Sequence, residues 1–207
     1  MNKPVAGAPR ARANEVRIIG GLWKRSKLPV AAKPGLRPTP DRVRETLFNW
    51  LGQDLSGWRC LDAFAGSGAL GFEAASRGAA TVVMLEREPL LVDSLLASQK
   101  RLGATAIRIE RAEALGWMAR RATQTFDLVF LDPPFDGGLS VAALGAALNV
   151  LAPGGYLYLE APEALTEVPP GLLLHRQARA GAVHFCLLQG EGYTAPAAPD
   201  ASRSNAP

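Results

Sequence analysis

The sequence is poor in the residues that most often bind metals or form disulfides, with two cysteines and two histidines among 207 residues. Cys60 and Cys186 lie in separate apolar stretches, without the short spacing of a metal or redox motif. We therefore predict two buried thiols in a reducing compartment. His175 and His184 lie in one stretch near the carboxyl end, which we interpret as structural. No metal site is predicted.

Long apolar runs are also missing. No stretch approaches the roughly 20 apolar residues of a membrane-spanning helix, and the amino-terminal stretch has no apolar segment typical of a secretory signal. We therefore expect a cytoplasmic protein without a membrane partner. The length of 207 residues fits one domain with a small appendage, and the 48% hydrophobic content suffices for a core.

Acidic residues are scarce in the first part of the chain. Residues 1–60 contain 12 Lys and Arg against 4 Asp and Glu, a net charge of +8. Residues 61–207 contain 11 against 15, a net charge of −4, and the two values sum to the +4 of the whole chain. A basic amino-terminal segment on a mildly acidic body is typical of a polyanion-binding arm on a catalytic or scaffold domain.

Strand-like and helix-like segments alternate from residue 58 to residue 160. Five apolar strands are predicted over 58–64, 81–85, 106–109, 126–131 and 156–160, with helices between them and a turn at 153–155. Two further strands, 172–179 and 182–189, form a terminal hairpin. Alternation of this kind predicts an α/β fold, in which a mostly parallel sheet carries helices on both faces and an antiparallel edge.

The amino-terminal part divides into a tail and a basic hairpin. Residues 1–14 are rich in Ala, Pro and Arg, and residues 190–207 have a similar bias, so both tails are expected to be disordered. Residues 15–36 are expected to form a β-hairpin that turns at Gly20–Gly21 and places cations around Trp23. Cations neutralise phosphates and an aromatic ring can stack on a base; a solvated hairpin with Trp23 packed into the core is the alternative. The candidate RNA-binding residues of this hairpin are Arg17, Trp23, Lys24, Arg25 and Lys27.

A helix with an arginine-rich start follows, and it opens a predicted domain over 37–189. Thr39 before Pro40 fits an N-cap with proline at the first helical position. Arg37, Arg42 and Arg44 flank this start, where they can face an anion or serve as ordinary helix charges.

A glycine-rich turn follows the first strand of the alternating region. Gly66–Gly71 matches the pattern G-x-G-x-x-G, and Glu86 lies 20 residues after Gly66 at the end of the next strand. That pattern is shared by nicotinamide enzymes. Asp62 at the preceding strand end would repel a pyrophosphate but suits the ammonium of a methionine moiety, which favours S-adenosylmethionine. Ala112 and Glu113 at the end of the third strand are placed to meet an adenine edge.

The fourth strand ends in Asp132-Pro133-Pro134-Phe135. Neither proline can continue a central strand, so the Asp132 carboxylate and nearby carbonyls are left as acceptors at the carboxyl edge, where open α/β sheets bind ligands. Phe135 adds an aromatic face. Hydrogen-bond acceptors beside a stacking surface suit a planar substrate with an exocyclic amine. The alternative interpretation is structural: the motif is a loop, and its aspartate caps the next helix.

With these motifs together, the chain resembles the bacterial 16S ribosomal RNA guanine-N2 methyltransferase family from about Val16 to Leu188. The stretches that carry the resemblance are Arg17–Gly21, Lys27–Pro29, Leu36–Thr39, Asp41–Trp50, Leu61–Asp62, Phe64–Gly71 and Asp132–Phe135. The glycine turn and Asp-Pro-Pro motif are common to many amino-methyltransferases, whereas the hairpin and the arginine-rich helix start are more specific to this family.

The resemblance implies a class I methyltransferase fold with sheet order 3-2-1-4-5-7-6. It implies that S-adenosylmethionine is held by Asp62, Ala63, Ala65, Gly66, Ser67, Gly68, Glu86, Arg87, Ala112 and Glu113. Asp132 to Phe135 would hold a guanine of 16S ribosomal RNA while its N2 amine is methylated. The substrate would be a partly assembled 30S subunit, with a monomer as the default oligomeric state.

Three other functions remain open at this point. The same acceptors serve an adenine N6 or cytosine N4 amine. A nicotinamide-dependent oxidoreductase would need a catalytic Tyr, Lys or His near the cleft, and none stands out. A non-catalytic RNA-binding assembly factor would not need the intact Asp132 motif.

Overall fold

The computed structural model describes residues 15–30, 38–121, 125–134 and 139–192. In chain order the elements are β1 (Glu15–Arg17), β2 (Lys27–Pro29), α1 (Asp41–Trp50), β3 (Arg59–Asp62), α2 (Ala69–Ser76), β4 (Thr81–Glu86), α3 (Pro89–Leu102), β5 (Ile107–Arg111), α4 (Ala114–Ala119), β6 (Phe126–Leu131), α5 (Leu139–Leu148), β7 (Leu151–Ala161), β8 (Leu172–Ala180) and β9 (Val183–Gly190).

Seven of the strands form one sheet in the order β5-β4-β3-β6-β7-β9-β8. Strands β3 to β7 pair in parallel, whereas β9 pairs antiparallel with both β7 and β8. If only the strands of this sheet are numbered, the order is the predicted 3-2-1-4-5-7-6. The predicted α/β fold and its antiparallel edge are therefore confirmed.

Buried side chains form one apolar cluster on each face of the sheet. One cluster packs α1, α2 and α3 against alternate strand residues such as Cys60, Phe130 and Tyr158. The other packs α4 and α5 against the intervening strand residues. Successive side chains of a strand point to opposite faces of the sheet, so residues i and i+2 share a face. A residue that lies two positions after a member of one cluster therefore points to the same face as that cluster.

The amino-terminal strands β1 and β2 pair antiparallel, with Val16 opposite Leu28. Their apolar residues do not form a separate core: Val16, Ile18, Leu28 and Val30 are buried in the same cluster as α1, α2 and α3. The boundary predicted between a hairpin over 15–36 and a catalytic domain from 37 stays a prediction, but the two share one core.

A buried carboxylate on α2 fastens this hairpin to the sheet. Glu73 is fully buried and accepts hydrogen bonds from the backbone N–H groups of Ile19 and Gly20, each at 2.8 Å. The same carboxylate forms ion pairs with Arg44 of α1 at 3.2 Å and with Arg77 at 2.8 Å. Glu73 thus joins the hairpin, α1 and α2 at one point.

The predicted Gly20–Gly21 turn lies directly against the end of α2. Gly21 has a φ of +71°, and a Cβ at this position would collide with the carbonyl oxygen of Ser76. The N–H of Leu22 donates to that carbonyl at 2.7 Å, and the N–H of Trp23 donates to the Ser76 hydroxyl at 2.9 Å. Glycine is needed here both for its backbone conformation and for the close approach.

Several predicted boundaries are wrong in detail. Pro40, not Thr39, occupies the N-cap position of α1, because the helix begins at Asp41. The turn expected at 153–155 lies inside β7, whose pairing with β6 shifts register between Phe126 and Leu128. Gly190, expected to begin a disordered tail, ends β9, and the N–H of Glu191 bonds to the carbonyl of Gly171. The other tail residues, 1–14 and 193–207, lie outside the described residues.

Both thiols are buried and free, as predicted. Burial raises the pKa of Cys186 to about 11 and that of Cys60 further, so both stay neutral thiols. Among the residues that the structure describes, no helix has the length and apolar character needed to cross a bilayer. Within the same residues, no group of three or more His, Cys, Asp and Glu side chains is arranged to hold a metal ion.

Candidate active site

Four neighbouring strands of the sheet have an acidic residue at or next to their carboxyl ends. Asp62 ends β3, Glu86 ends β4, Asp132 follows β6, and Glu160 lies near the end of β7. Each lies two positions after a residue of the cluster shared by α1, α2 and α3, namely Cys60, Met84, Phe130 and Tyr158. The four acids therefore share one face at the carboxyl edge of the sheet, and we call them the acidic row.

The glycine turn lies over the Glu86 end of this row. The N–H of Gly66 donates to Glu86 Oε2 at 3.0 Å, and Glu86 Oε1 accepts from the N–H of Glu88 at 2.9 Å. Gly68 caps α2 in the left-handed conformation, with a φ of +80°, and a Cβ there would lie 2.6 Å from Leu95. A side chain at Gly68 would thus require the side chains of Leu95 and Phe72 to shift.

Asp62 is the most deeply buried acid of the row, with 2% of its surface exposed. Its Oδ2 accepts a hydrogen bond from the N–H of Gly71 at 2.9 Å. Burial raises the pKa of Asp62 to about 7, and the charge of Glu86 adds to this effect. Because no ion pair joins Asp62 to a cation within the described residues, the carboxylate is ready to meet a cationic ligand.

Substitution of Asp62 by asparagine is expected to stabilise the free protein above pH 7. A carboxyl group with a raised pKa binds its proton more tightly in the folded than in the unfolded protein. Its contribution to stability is therefore complete below the ordinary pKa of 3.8 and is lost as the pH rises to about 7. The loss is at most roughly 4 kcal/mol, and Asp62→Asn avoids it while its side-chain oxygen still accepts from Gly71.

Thermal unfolding at pH 6 and pH 8 measures this effect. We expect the stability of Asp62→Asn to fall less than that of the wild type between these pH values. The exposed Asp93, substituted in the same way, serves as the control. An equal fall in the wild type and Asp62→Asn would contradict the raised pKa.

The Asp132 motif leaves the sheet beside Asp62, because β6 pairs in parallel with β3. Asp132 is half-buried, Pro133 is buried and Pro134 is exposed, whereas Phe135 lies outside the described residues. Burial raises the pKa of Asp132 well above its usual value, and the nearby charges of Glu160 and Asp62 raise it further. The structure therefore brings the proposed base acceptor next to the proposed cofactor acceptor.

The residues predicted to face the adenine, Ala112 and Glu113, follow β5 and precede α4. The N–H of Ala112 donates to the carbonyl of Glu86 at 3.1 Å. Glu113 is the N-cap of α4, and its side chain accepts from the N–H groups of Leu115 at 2.9 Å and Gly116 at 2.7 Å. This cap was missed in the sequence, although an acid before a short apolar helix is a recognisable signal.

Two of the residues predicted to bind RNA are buried and form hydrogen bonds within the protein. The expectation that Arg44 faces an anion in RNA is wrong, because its side chain is fully buried between Glu73, Asp41 and the carbonyls of Arg17 and Thr39. Thr39 is buried as well, and its hydroxyl donates to Asp132 Oδ2 at 3.4 Å. Thr39 therefore belongs to the Asp132 site rather than to an RNA-binding surface.

The other predicted RNA-binding residues divide by exposure. Trp23 is half-buried and packs against the core, which supports the alternative in which its ring is structural. Arg37 lies outside the described residues, and Lys27 forms an ion pair with Glu15 at 2.6 Å. The exposed cations of the predicted set are Arg17, Lys24, Arg25, Lys27 and Arg42. Arg101 of α3 joins them, since it donates to the carbonyl of Lys27 at 2.6 Å.

The acidic side chains around the glycine turn distinguish between two cofactors, S-adenosylmethionine and a dinucleotide. Asp62 and Glu86 would repel a pyrophosphate, but they suit an ammonium group and ribose hydroxyls. Ala63 and Ala65 are buried beside them, and Ser67 is half-buried in the turn. Exposed Arg87 follows Glu86. These residues fit S-adenosylmethionine better than a dinucleotide.

Comparison with known proteins gives consistent matches over most of the chain. Residues 16–189 match the family model described as "Conserved hypothetical protein 95". The chain is 42% identical over 187 residues to ribosomal RNA small subunit methyltransferase D of Escherichia coli strain K12, covering 86% of this chain and 92% of that protein. The protein of the same name from Haemophilus influenzae is 40% identical, with 87% and 96% covered. The solved structure of the Escherichia coli protein yhhF has a TM-score of 0.78 and 42% identity, covering 87% of this chain and all of that one.

Proposed function

Because the chain belongs to the family of ribosomal RNA small subunit methyltransferase D, we propose that it methylates the exocyclic N2 amine of one guanine in 16S ribosomal RNA, using S-adenosylmethionine. The observation that carries this proposal is the position of Asp132 beside Asp62 on one face of the sheet. A base acceptor and a cofactor site next to each other are the minimum requirement for direct transfer of a group between two bound molecules.

The cofactor would lie over the glycine turn. Asp62 would hold its ammonium group, with backbone groups of Ala63, Ala65, Gly66, Ser67 and Gly68 around the methionine moiety. Glu86 would hold the ribose, and Arg87, Ala112 and Glu113 would surround the adenine. When bound, S-adenosylmethionine supplies a sulfonium methyl group that is already activated for transfer.

The Asp132 motif would activate the target amine. The lone pair of guanine N2 is delocalised into the ring, so the amine is a weak nucleophile. If Asp132 and the carbonyl of Pro133 accept its hydrogens, the lone pair becomes localised and points along one direction. Positioning and stabilisation of the charge that develops on nitrogen would then supply most of the catalysis, and Pro134 and Phe135 would complete the pocket for a base that has left its stack.

The exposed cations of the hairpin would contact RNA phosphates. Arg17, Lys24, Arg25 and Lys27 surround the paired strands, and Arg42 lies near the start of α1. So small a basic surface provides few base contacts for choosing one guanine among many. We therefore propose that a partly assembled 30S subunit, which presents the guanine in a fixed position, is the substrate, and that the enzyme acts as a monomer.

Transfer of labelled methyl groups tests the function directly. Small subunits that lack the modification and naked 16S ribosomal RNA would be incubated with the protein and labelled S-adenosylmethionine. Label on a single guanine N2, with subunits modified faster than naked RNA, is the expected result. Label on an adenine N6 or cytosine N4 would support the other amino-methyltransferases. Cofactor binding without label on any ribosomal substrate would contradict the proposal.

Charge reversal in the hairpin tests the RNA-binding surface. Lys24→Glu with Arg25→Glu is expected to weaken RNA binding and to reduce the slope of log affinity against log salt by about 1 for each phosphate that the variant no longer neutralises. Arg176→Glu with Arg179→Glu, which reverses two exposed arginines of the edge strand β8 and changes the net charge by the same amount, is the matched control. Equal weakening by both variants would show that net charge, rather than this surface, drives binding.

A further inference from the structure

Glu160 is the one acid of the row that has no part in the proposed function so far. It lies on β7, which pairs with β6 so that Leu159 is opposite Leu131. The next residue of each strand is an acid, and the two acids, Glu160 and Asp132, turn to the same face. Glu160 is 3% exposed, so a carboxyl group is buried directly beside the half-buried carboxyl group of the Asp132 motif.

The hydroxyl of Thr39 lies between these two carboxyl groups. Its oxygen is 3.4 Å from Asp132 Oδ2, and its interaction with Glu160 lowers the pKa of that carboxyl group. Thr39 is 4% exposed, which keeps solvent away from the contact. A hydroxyl group donates one hydrogen bond and accepts others. It can therefore accept from one carboxyl group while it donates to the other.

The remaining contact of Glu160 comes from its own strand. The hydroxyl of Tyr158 donates to Glu160 Oε1 at 2.9 Å. Asp132, Thr39, Glu160 and Tyr158 thus form a chain of adjacent polar groups that runs from the acceptor motif into the interior. Within the described residues, no ion pair joins Asp132 or Glu160 to a cation.

Arg44 of α1 approaches this chain, since its Nε donates to the backbone carbonyl of Thr39 at 3.3 Å, and acidic or neutral groups face the rest of it. Asp62 faces it from β3, Cys186 approaches Tyr158 from β9, and His184 lies opposite Ala161 on β9. Burial raises the pKa of Glu160, whereas its hydrogen bonds from Thr39 and Tyr158 act against this rise. Two adjacent buried carboxyl groups cannot easily both be ionised, so a pair that has lost both protons readily takes up one, which the two groups then hold in common.

A proton must leave the target amine during the proposed reaction. When the amine nitrogen gains a methyl group, it loses one of its two hydrogens as a proton. Asp132 is the nearest base in the proposed arrangement. Protonated Asp132 then donates to the Thr39 oxygen, and the Thr39 hydroxyl turns its hydrogen from Asp132 to ionised Glu160. The proton of Asp132 can pass to the Thr39 oxygen while the Thr39 hydrogen passes to Glu160, with no net change at Thr39.

We propose that Glu160 is a positioning residue that works through Thr39: it takes up the proton that Asp132 receives from the amine, so that Asp132 returns to its basic form. This inference rests on the proposed function. After the product leaves, the proton returns along the same chain to Asp132, which is half-buried and reaches solvent. The residue that touches the base remains Asp132.

Substitutions that preserve shape separate this role from a structural one. We expect Glu160→Gln to lower the rate of single-turnover methyl transfer by roughly 10²-fold, the lower end of the contribution of acid–base groups. Thr39→Val, which keeps both carboxyl groups but removes the hydroxyl between them, is expected to lower the rate similarly. Thr39→Ser restores the hydroxyl and should recover most of the rate.

The pH profile provides a readout that a purely structural residue would not change. Removal of the Glu160 charge lowers the pKa of Asp132, so the acidic limb of the rate profile should shift to lower pH in Glu160→Gln. The same shift should appear in the carboxyl titration of Asp132, followed by carbon NMR in the free protein. Glu163→Gln, an exposed glutamate beyond the end of β7, should change neither measurement.

Two results would overturn the inference. One is a Glu160→Gln variant with the wild-type rate and the wild-type pH profile. The other is a Thr39→Ser variant that is as slow as Thr39→Val. Absence of methyl transfer by the wild type would instead contradict the proposed function, and the NMR titration would then still test the coupling of the two carboxyl groups.

Discussion

Replacement of Asp132 by alanine is expected to reduce single-turnover methyl transfer by roughly 10²–10³-fold, a loss typical for one electrostatic partner of a reacting group, while cofactor affinity changes by less than several-fold. Asp132 follows β6, whereas the residues proposed to hold the cofactor lie at or just after the ends of β3, β4 and β5. Its carboxylate would contact the amine and not the cofactor, so binding and turnover should separate.

Calorimetry of cofactor binding and single-turnover transfer would measure the two quantities. Asp127→Asn is the matched control, since Asp127 lies on the same strand at the opposite end and accepts from the N–H of Arg59 at 2.7 Å. Asp132→Asn keeps an acceptor oxygen but cannot take up a proton. Its rate therefore distinguishes the role of Asp132 in positioning the amine from its role in proton transfer. Equal loss of binding and turnover in Asp132→Ala would contradict the assignment.

Replacement of Glu73 by alanine is expected to cause the largest loss of stability. It would leave the guanidinium of Arg44, which is 0% exposed, and that of Arg77 without their shared carboxylate. It would also leave the N–H groups of Ile19 and Gly20 without an acceptor. Breaking a buried ion pair by removing one partner costs about 3–5 kcal/mol, which corresponds to a fall in Tm on the order of 10 °C for a protein of this size.

Denaturant and thermal unfolding would measure this change in the free protein. Glu45→Ala, an exposed glutamate of α1, is the control and should unfold within about 0.5 kcal/mol of the wild type. Glu73→Gln, which keeps an acceptor but not the charge, should lie between the two. A Glu73→Ala variant as stable as Glu45→Ala would show that the two arginines find other partners.

The predictions from sequence succeeded where local pattern determines structure. Strand ends at Asp62, Glu86 and Asp132 could be located because each apolar run stops at an acid followed by turn residues. Parallel pairing then brings these ends to one edge, so most of the acidic row follows from the order of strands. Glu160 also ends an apolar run, but nothing local indicates that it lies beside Asp132.

The errors concern contacts between residues that are distant in sequence. Arg44 has the setting of a surface arginine near a helix start, and only its partner Glu73, 29 residues later, reveals that it is buried. Thr39 has the local pattern of a helix cap, yet its hydroxyl bonds to Asp132, 93 residues away. Neither contact has a periodic or compositional signal, because each depends on how the hairpin and α1 pack over the finished sheet.

The shared core of the hairpin and the sheet restricts how this protein can be divided or recombined. A fragment that begins at residue 38 would expose the apolar surfaces that Ile18 and Leu28 cover, and Glu73 would be deprived of two of its donors. A chimera that carries the hairpin of another enzyme would have to reproduce the close approach of Gly20 to Arg77 and of Gly21 to Ser76, together with the apolar packing beneath them. The segment proposed to bind RNA is therefore not an exchangeable module, and changes of RNA preference are confined to its exposed side chains.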